Sequence, residues 1–134
     1  MKKQDISENQ VNLVYIGIGS NLGRKKENIE KAKFYLSQNN INFISISNYY
    51  ETPSWPNPKY PKFLNIIIKV KCKLRPLELL KLCKDIEIKL GRKKSVKNAP
   101  RLCDLDIIDF NGLVLKSSDK INLPHKMMHK RNFV

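Results

Sequence analysis

The order in which strand-like and helix-like segments alternate is the feature that most constrains the fold of this chain. Runs rich in Ile, Val, Phe and Tyr alternate with segments whose apolar residues recur at the three- and four-residue spacing of an amphipathic helix. The resulting order of strand, helix, strand, strand, helix, strand is typical of a ferredoxin-like α+β sandwich, with both helices on one face of an antiparallel sheet. The predicted segments are strands at 14–18, 41–50, 63–72 and 102–110 and helices at 26–38 and 76–90.

The connections carry clear turn and loop signals. Four prolines between Pro53 and Pro61 predict an extended surface loop without regular structure. Asn111-Gly112 predicts a hairpin turn into a last short strand at 113–115. The remaining predictions are a turn at 19–23 leading into the first helix, a basic mobile loop at 92–98, a flexible N-terminal extension at 1–12 and a single domain at 13–134.

The composition limits the compartment and the partners. A net charge of +14 makes anions the expected partners, whether nucleic acid, acidic membrane or phosphorylated small molecules. No apolar run approaches the length of a membrane helix and the N-terminus has no signal core, so we expect a soluble cytoplasmic protein without a membrane partner. Cys72, Cys83 and Cys103 are odd in number and widely spaced, which favours reduced buried thiols over disulfides or a zinc ribbon.

The densest cluster of chemically capable residues lies in the last long strand. Asp104 and Asp106 are two residues apart, so in a strand they project from the same face while Leu105 and Ile107 enter the core. Two converging carboxylates beside Arg101 are suited to magnesium, which prefers carboxylate oxygens and keeps waters and substrate phosphates as its other ligands. The alternative is an ordinary solvated strand face.

A second set of residues lies around the proline loop. Aromatic faces and an amide side chain occur together there, and such a set can sandwich a flat heterocycle and hydrogen-bond to its edge. Each aromatic residue taken alone is more often a core or loop-anchoring residue. The set consists of Thr52, Pro53, Trp55, Phe63 and Asn65.

Further candidates lie outside these two sets. Arg92 and Lys94 belong to a basic loop that could close over a polyphosphate or simply be solvated. Glu87, one helical turn after Lys84, is either half of a surface ion pair or a nucleotide contact. His125 and His129 lack the acidic partner of a zinc protease motif, so zinc is not expected, and His125 could donate to phosphate.

Taken as a whole, the chain resembles the hydroxymethyl-dihydropterin pyrophosphokinases, the folate-pathway enzymes that transfer pyrophosphate from ATP to a pterin alcohol. Six motifs carry the resemblance in order between Tyr15 and Val134. They are Tyr-Ile-Gly-Ile-Gly-Ser-Asn-Leu-Gly at 15–23, Tyr-Glu-Thr-Pro at 50–53, Phe-Leu-Asn at 63–65, Ile-Glu through Leu-Gly-Arg at 86–92, Pro-Arg-Leu-Cys-Asp-Leu-Asp-Ile at 100–107 and Leu-Pro-His at 123–125. Family members usually continue further beyond the Phe133-Val134 match, so the chain is C-terminally short for this family.

The resemblance implies a role for each candidate. Asp104 and Asp106 would bind two magnesium ions that bridge to the ATP phosphates, with Arg92 and Arg101 on the phosphates or in the closing loop. The pterin would stack between Phe63 and Phe133, with Asn65 at its edge. The remaining implied contacts are Glu87, Lys94, Ile107, His125 and Arg131 around the nucleotide and Thr52, Pro53 and Trp55 lining the pterin pocket.

The resemblance also implies the reaction and the partners. The hydroxymethyl oxygen of 6-hydroxymethyl-7,8-dihydropterin would attack the β-phosphorus of ATP, and AMP would leave. ATP and the reduced pterin are then the expected partners, with a neighbouring folate-pathway enzyme as a further candidate and no nucleic acid. Two other hypotheses remain: a family member that binds its ligands without turnover, and a basic ferredoxin-like module that binds single-stranded RNA.

Overall fold

The computed structural model describes residues 10–54, 57–91 and 100–112. Within these ranges the chain forms five strands and two helices. The elements are β1 (Asn12–Ser20), α1 (Lys25–Gln38), β2 (Asn42–Ile46), β3 (Tyr50–Thr52), β4 (Phe63–Cys72), α2 (Pro76–Lys89) and β5 (Asp104–Phe110). The predicted N-terminal extension lies outside the described residues up to position 9, and Asn12, its last predicted residue, is the buried start of β1.

The sheet is antiparallel and has β1 and β4 at its centre. β1 pairs with β4 on one side and with β5 on the other, and β4 pairs in turn with β2 and β3. Two helices pack against this sheet, and buried residues of both belong to a single apolar cluster with alternate residues of the strands. The predicted α+β sandwich is therefore confirmed.

Strict alternation along β1 sorts its side chains between the two faces. Val14, Ile16 and Ile18 are buried against the helices, whereas Leu13 and Tyr15 lie on the opposite face and are about one-third exposed. The same alternation continues in β4 and β5, so one face of the sheet carries the core and the other remains open in the described part of the chain. The core side chains of β4 and β5 are Ile66, Ile68, Val70, Cys72, Leu105, Ile107 and Phe110.

The edge strand predicted at 41–50 is divided into β2 and β3. Ile46 pairs with Ile68 and Tyr50 pairs with Asn65, so this edge takes four steps where β4 takes three. Ser47 causes the offset, because its backbone N–H donates to Ile67 O and its hydroxyl oxygen accepts from Ile67 N–H, both at 2.9 Å. The side chain takes the place of a backbone carbonyl in the ladder and bends the edge.

The first strand is longer than predicted. Gly19 and Ser20, expected in a turn, belong to β1, and Gly19 pairs with Asn65 of β4 and with Asp104 of β5. Backbone pairing on both sides outweighs the low strand propensity of glycine at this position. The turn begins instead at Asn21.

In the described ranges neither helix, α1 or α2, is long and apolar enough to cross a membrane.

Both helices lie where their apolar stripes predicted them. α1 buries Ile29, Ala32 and Leu36, and α2 opens with Pro76 in its first turn and a hydrogen bond from Arg75 N–H to Glu78 Oε1 (2.8 Å). The apolar spacing within 76–90 predicts a buried stripe of Leu79, Leu82, Ile86 and Leu90, but Leu82 and Leu90 are only partly buried. Cys83 and Glu87 share the buried face with Leu79 and Ile86.

Candidate active site

Two glycines of β1 open a trough across the centre of the open sheet face. Gly17 pairs with Ile67 and Asp106, and Gly19 pairs with Asn65 and Asp104. Because neither glycine has a side chain, the strip above β1 is bordered by the side chains of β4 and β5, some of which reach over the glycines. A shallow depression follows this strip and is lined in part by Tyr50, Phe63, Asn65, Asp104 and Asp106.

Close packing explains the need for glycine at position 19. A Cβ atom there would lie 2.8 Å from Asn65 Oδ1 and 3.3 Å from Phe63 Cδ1, closer than side-chain carbons normally approach. At Gly17 a Cβ would lie 3.2 Å from Cδ1 of Ile108. Ile108 reaches this face because the β1–β5 register shifts between Tyr15 and Ile16, which makes it the extra residue of a β-bulge.

The carboxylates lie on one side of the trough. Asp104 and Asp106 project from the open face while Leu105 and Ile107 enter the core, as the sequence predicted. Asp104 is only 9% exposed, and Asp106 is half-buried. Arg101 Nη1 lies 3.1 Å from Asp104 Oδ1, so a guanidinium charge compensates this carboxylate without covering the pair completely.

The start of β5 is fixed from the helix side. Glu87 is 1% exposed, and its Oε2 accepts a hydrogen bond from Leu105 N–H at 2.8 Å. The predicted ion pair with Lys84 is present, with 3.9 Å between Lys84 Nζ and Glu87 Oε1, but only Lys84 is exposed and the carboxylate itself is buried. Burial, and then the negative charge of Asp104, raise the pKa of the neighbouring Cys103 thiol, so Cys103 is a neutral core residue beside the carboxylates.

The amide and the aromatic residue lie on the other side of the trough. Asn65 Nδ2 donates to Thr52 Oγ1 at 3.0 Å, and this bond turns Asn65 Oδ1 toward Gly19. Thr52 and Asn65 are both buried, and Phe63 is half-buried beside them. Pro53 is exposed and does not line the depression. The structure thus brings Thr52, Phe63 and Asn65 together.

One further buried residue contacts segments on both sides of the trough, and the sequence predicted only its place in the turn and motif at 15–23. Asn21 is 1% exposed and hydrogen-bonds to the proline loop and to Arg101. A second contact near Arg101 is apolar. Leu102 packs against Gly23 and Gly91, both of which have positive φ. The sequence signal that could have identified Asn21 is an amide within the Gly-Ser-Asn-Leu-Gly part of the motif at 15–23, because such a side chain needs hydrogen-bond partners if it becomes buried.

The sequence profile of the 7,8-dihydro-6-hydroxymethylpterin-pyrophosphokinase (HPPK) family matches residues 15–134. The chain belongs to this family. Members transfer pyrophosphate from ATP to hydroxymethyldihydropterin in folate biosynthesis, so the sequence-based prediction of an ATP-dependent pyrophosphokinase is confirmed.

Relatives of this chain differ in how much of their own length it covers. The 2-amino-4-hydroxy-6-hydroxymethyldihydropteridine pyrophosphokinase of Bacillus subtilis is 36% identical over 92% of this chain and 74% of its own length. Folic acid synthesis protein FOL1 of Dictyostelium discoideum is 39% identical over 92% of this chain, which spans only 18% of that protein. The mitochondrial folate synthesis bifunctional protein of Arabidopsis thaliana is 38% identical over 90% of this chain and 22% of its own length.

The remaining predicted site residues are Ile107, whose side chain does not face the trough, and six residues outside the described ranges. The side chain of Ile107 is in the core, so a nucleotide could reach this residue only through its backbone. Six further candidates lie outside the described residues, namely Trp55, Arg92, Lys94, His125, Arg131 and Phe133.

The donor set of the trough fits magnesium bound together with a substrate. In the described ranges no group of three or more His, Cys, Asp or Glu side chains is placed to hold a metal ion by itself. Asp104 and Asp106 supply hard oxygen ligands, and magnesium commonly takes one or two carboxylates with substrate phosphates and water as the rest. The arrangement is therefore suited to a metal that arrives with ATP.

Proposed function

We propose that pyrophosphoryl transfer in this chain takes place across the trough above Gly17 and Gly19, with the pterin on the Asn65 side and the ATP phosphates on the Asp104 side. The observation that carries this proposal is one cross-strand row, in which Gly19 pairs with Asn65 on one side and with Asp104 on the other. The two proposed binding groups therefore lie on β4 and β5, the two strands that flank β1 in the sheet.

The spacing of this row suits a transfer between two bound substrates. Neighbouring strands are about 4.8 Å apart, so the backbones of Asn65 and Asp104 are separated by roughly 10 Å across Gly19. This is on the order of the room needed for a ring edge at one end and a phosphate at the other, with the reacting atoms between them. Gly19 contributes no side chain of its own to this space, which leaves room for the Asn65 amide and the Phe63 ring above β1.

The pterin side would recognise a flat ring through a fixed amide. Because Thr52 Oγ1 accepts from Asn65 Nδ2, Asn65 Oδ1 is presented as an acceptor for a ring N–H or amino group. Phe63 offers an aromatic face next to it. Trp55 and Phe133, assigned to the pocket by the resemblance, stay predictions.

Asp104 and Asp106 would hold magnesium through their carboxylate oxygens, and the ATP phosphates would be further ligands of the same metal. Bound there, magnesium supplies neutralisation of the charge that develops on the phosphate oxygens. Arg101 keeps Asp104 in place before the nucleotide arrives and adds positive charge next to the phosphates. The family resemblance implies two ions, and it also places Arg92, Lys94, His125 and Arg131 around the nucleotide.

The bond changes are those of a displacement at phosphorus. The hydroxymethyl oxygen of the pterin forms a bond to the β-phosphorus, the bond from that phosphorus to the oxygen bridging to the α-phosphate breaks, and AMP leaves with that oxygen. The hydroxyl proton is released to solvent. The contribution of the protein is to hold both reactants in line and to stabilise charge.

The test of the site uses three carboxylates of the same strand. Purified protein is mixed with ATP, magnesium and reduced hydroxymethylpterin, and AMP is measured for the parent and for Asp104→Asn, Asp106→Asn and Asp109→Asn. Asp109 lies on the same face but pairs with Tyr15 beyond the trough and accepts from Gly112 N–H, so it is a matched control. We expect kcat to fall at least about 100-fold in the first two variants, the loss typical of removing a group that stabilises transition-state charge, and to change little in the third.

Two results would overturn the proposal. Turnover at the parental rate in Asp104→Asn and Asp106→Asn would remove the carboxylates from the site. A parent chain that binds both ligands without forming AMP would instead be the inactive family member considered above.

Association with another folate-pathway enzyme stays a prediction, supported by relatives that are named bifunctional folate synthesis proteins.

A further inference from the structure

Asn21 lies where three separate segments of the chain meet. Its Nδ2 donates to Ser54 Oγ at 3.0 Å and to Pro61 O at 3.2 Å, and its Oδ1 accepts from Arg101 N–H at 2.7 Å. Its own backbone N–H donates to Arg101 O at 3.1 Å. Both polar atoms of a side chain that is almost fully buried are thus bonded to segments distant in sequence.

On one side Asn21 holds the base of the proline loop. Ser54 Oγ donates to Pro61 O at 2.6 Å, which brings the two ends of the loop together, and Thr52 pairs with Phe63 just outside this point. Asn21 donates to both ends. The start of β4, which carries Phe63 and Asn65, is therefore fixed relative to the β1–α1 turn.

On the other side Asn21 holds the segment that leads into the carboxylates. Two reciprocal hydrogen bonds join it to the backbone of Arg101, whose guanidinium contacts Asp104. Any shift of the Arg101 backbone would move the start of β5 and the guanidinium together. One amide thus links the pterin side of the trough to its carboxylate side.

We propose that Asn21 is a positioning residue for the transfer reaction. It sets the distance between the base of the proline loop, next to Phe63 and Asn65, and the Arg101–Asp104 segment. An amide is suited to this role because it has donors for the loop and an acceptor for Arg101 in one group. The inference rests on the site proposed above and adds a residue that touches neither substrate.

The experiment separates the two halves of the amide. Asn21→Asp keeps an oxygen for Arg101 N–H and loses both donors to the loop, whereas Asn21→Ala loses both functions. Ser54→Ala breaks only the loop side and leaves Asn21 itself intact. Asn28→Ala is the matched control, because Asn28 Nδ2 also makes two hydrogen bonds in this turn, to Ser20 Oγ and Leu22 O, but none to either side of the trough.

We expect a different kinetic signature for each half. Loss of one or two buried hydrogen bonds on the loop side should raise KM for the pterin at least about tenfold in Asn21→Asp and Ser54→Ala, with KM for ATP changed less than about threefold. Asn21→Ala should in addition lower kcat at least about tenfold, because Arg101 N–H loses its acceptor. Asn28→Ala should retain parental KM values.

The outcomes decide in each case. Parental kinetics in Asn21→Asp and Ser54→Ala, or the same losses in Asn28→Ala as in Asn21→Ala, would show a structural role only and overturn the proposal. Should the Asn21 variants not fold, Ser54→Ala carries the comparison with Asn28→Ala. Should the parent form no AMP, the proposed reaction fails, and calorimetric titration with the pterin and with ATP tests the same pattern in Kd.

Discussion

Asn65 and Asp104 face each other across Gly19, which pairs with both in the sheet. An amide suited to a heterocycle and a carboxylate suited to a metal therefore lie on opposite sides of a residue that has no side chain. The arrangement depends on backbone pairing, so it is as rigid as the sheet itself. The arrangement is most sensitive to a side chain at position 19, where a Cβ atom would meet Asn65 and Phe63.

Gly19→Ala should selectively weaken pterin binding. The new Cβ would meet Asn65 Oδ1 at 2.8 Å and Phe63 Cδ1 at 3.3 Å, so the amide or the ring must move. Overpacking of this kind costs about 1–3 kcal/mol, and the same loss in pterin binding would raise the Kd about 5- to 150-fold. Calorimetric titration should show a much smaller change for ATP.

Gly17→Ala is the matched control for this substitution. Its Cβ would meet only the outer atoms of the Ile108 side chain, at 3.2 and 3.7 Å, and these can rotate away. Equal loss of pterin affinity in the two variants would contradict the assignment of Asn65 and Phe63 to the pterin side.

Glu87→Ala should destabilise the protein and lower kcat together. Leu105 N–H would lose its acceptor inside the protein, which costs about 1–3 kcal/mol, and the start of β5 would lose this hydrogen bond to α2 beside the carboxylates. Glu87→Gln keeps an acceptor oxygen and should lose less than Ala in both measurements. Urea unfolding and AMP release are the readouts, and identical losses in the two variants would refute the hydrogen-bond explanation.

The sequence predicted the layers of the fold because local periodicity determines which face of each element is buried. The stripe Ile29, Ala32 and Leu36 and the alternation of Asp104 and Leu105 both follow from this rule. The division of the edge at Ser47 and the bulge at Ile108 did not follow from it. Both depend on the pairing of two strands, which a single segment does not record.

For the site, the sequence predicted the chemical groups but not the contacts that place them. The carboxylate pair and Asn65 were identified from residue type and resemblance. Glu87 was predicted either at the surface or on a nucleotide, and only packing of α2 against β5 shows its carboxylate bonded to Leu105. The role of Asn21 depends on three segments that meet only after folding, so the sequence indicated only its place in a turn and in the motif at 15–23.

The contact between Tyr49 and Glu30 predicts a pH-dependent contribution to stability. Tyr49 OH donates to Glu30 Oε2; burial and then this bond raise the pKa of Tyr49 from 10.0 to about 12, and the same bond lowers the pKa of Glu30 below 4.5. The tyrosine contribution is present below pH 10 and is lost as the pH rises toward about 12. The glutamate contribution is present above pH 4.5 and is lost as the pH falls through its lowered pKa.

Tyr49→Phe measures this contribution directly. The difference in unfolding free energy between parent and variant should be constant near neutral pH and shrink at both extremes. Subtracting the tyrosinate absorbance of the variant from that of the parent should reveal one group titrating near pH 12. Titration of that group near its ordinary value of 10.0 would show that the contact does not form in solution.

The three thiols should be unreactive in the folded protein. Cys72, Cys83 and Cys103 are free and buried, and burial raises the pKa of each, so the thiolate that reacts with disulfide reagents is scarce as well as inaccessible. Titration with an aromatic disulfide should be slow at neutral pH and rapid in denaturant. Because Cys103 precedes Asp104, a fast-reacting Cys103, identified by comparing the parent with Cys103→Ala, would mean that the start of β5 opens in solution. Such opening would contradict the rigid placement of the carboxylates on which the proposed site depends.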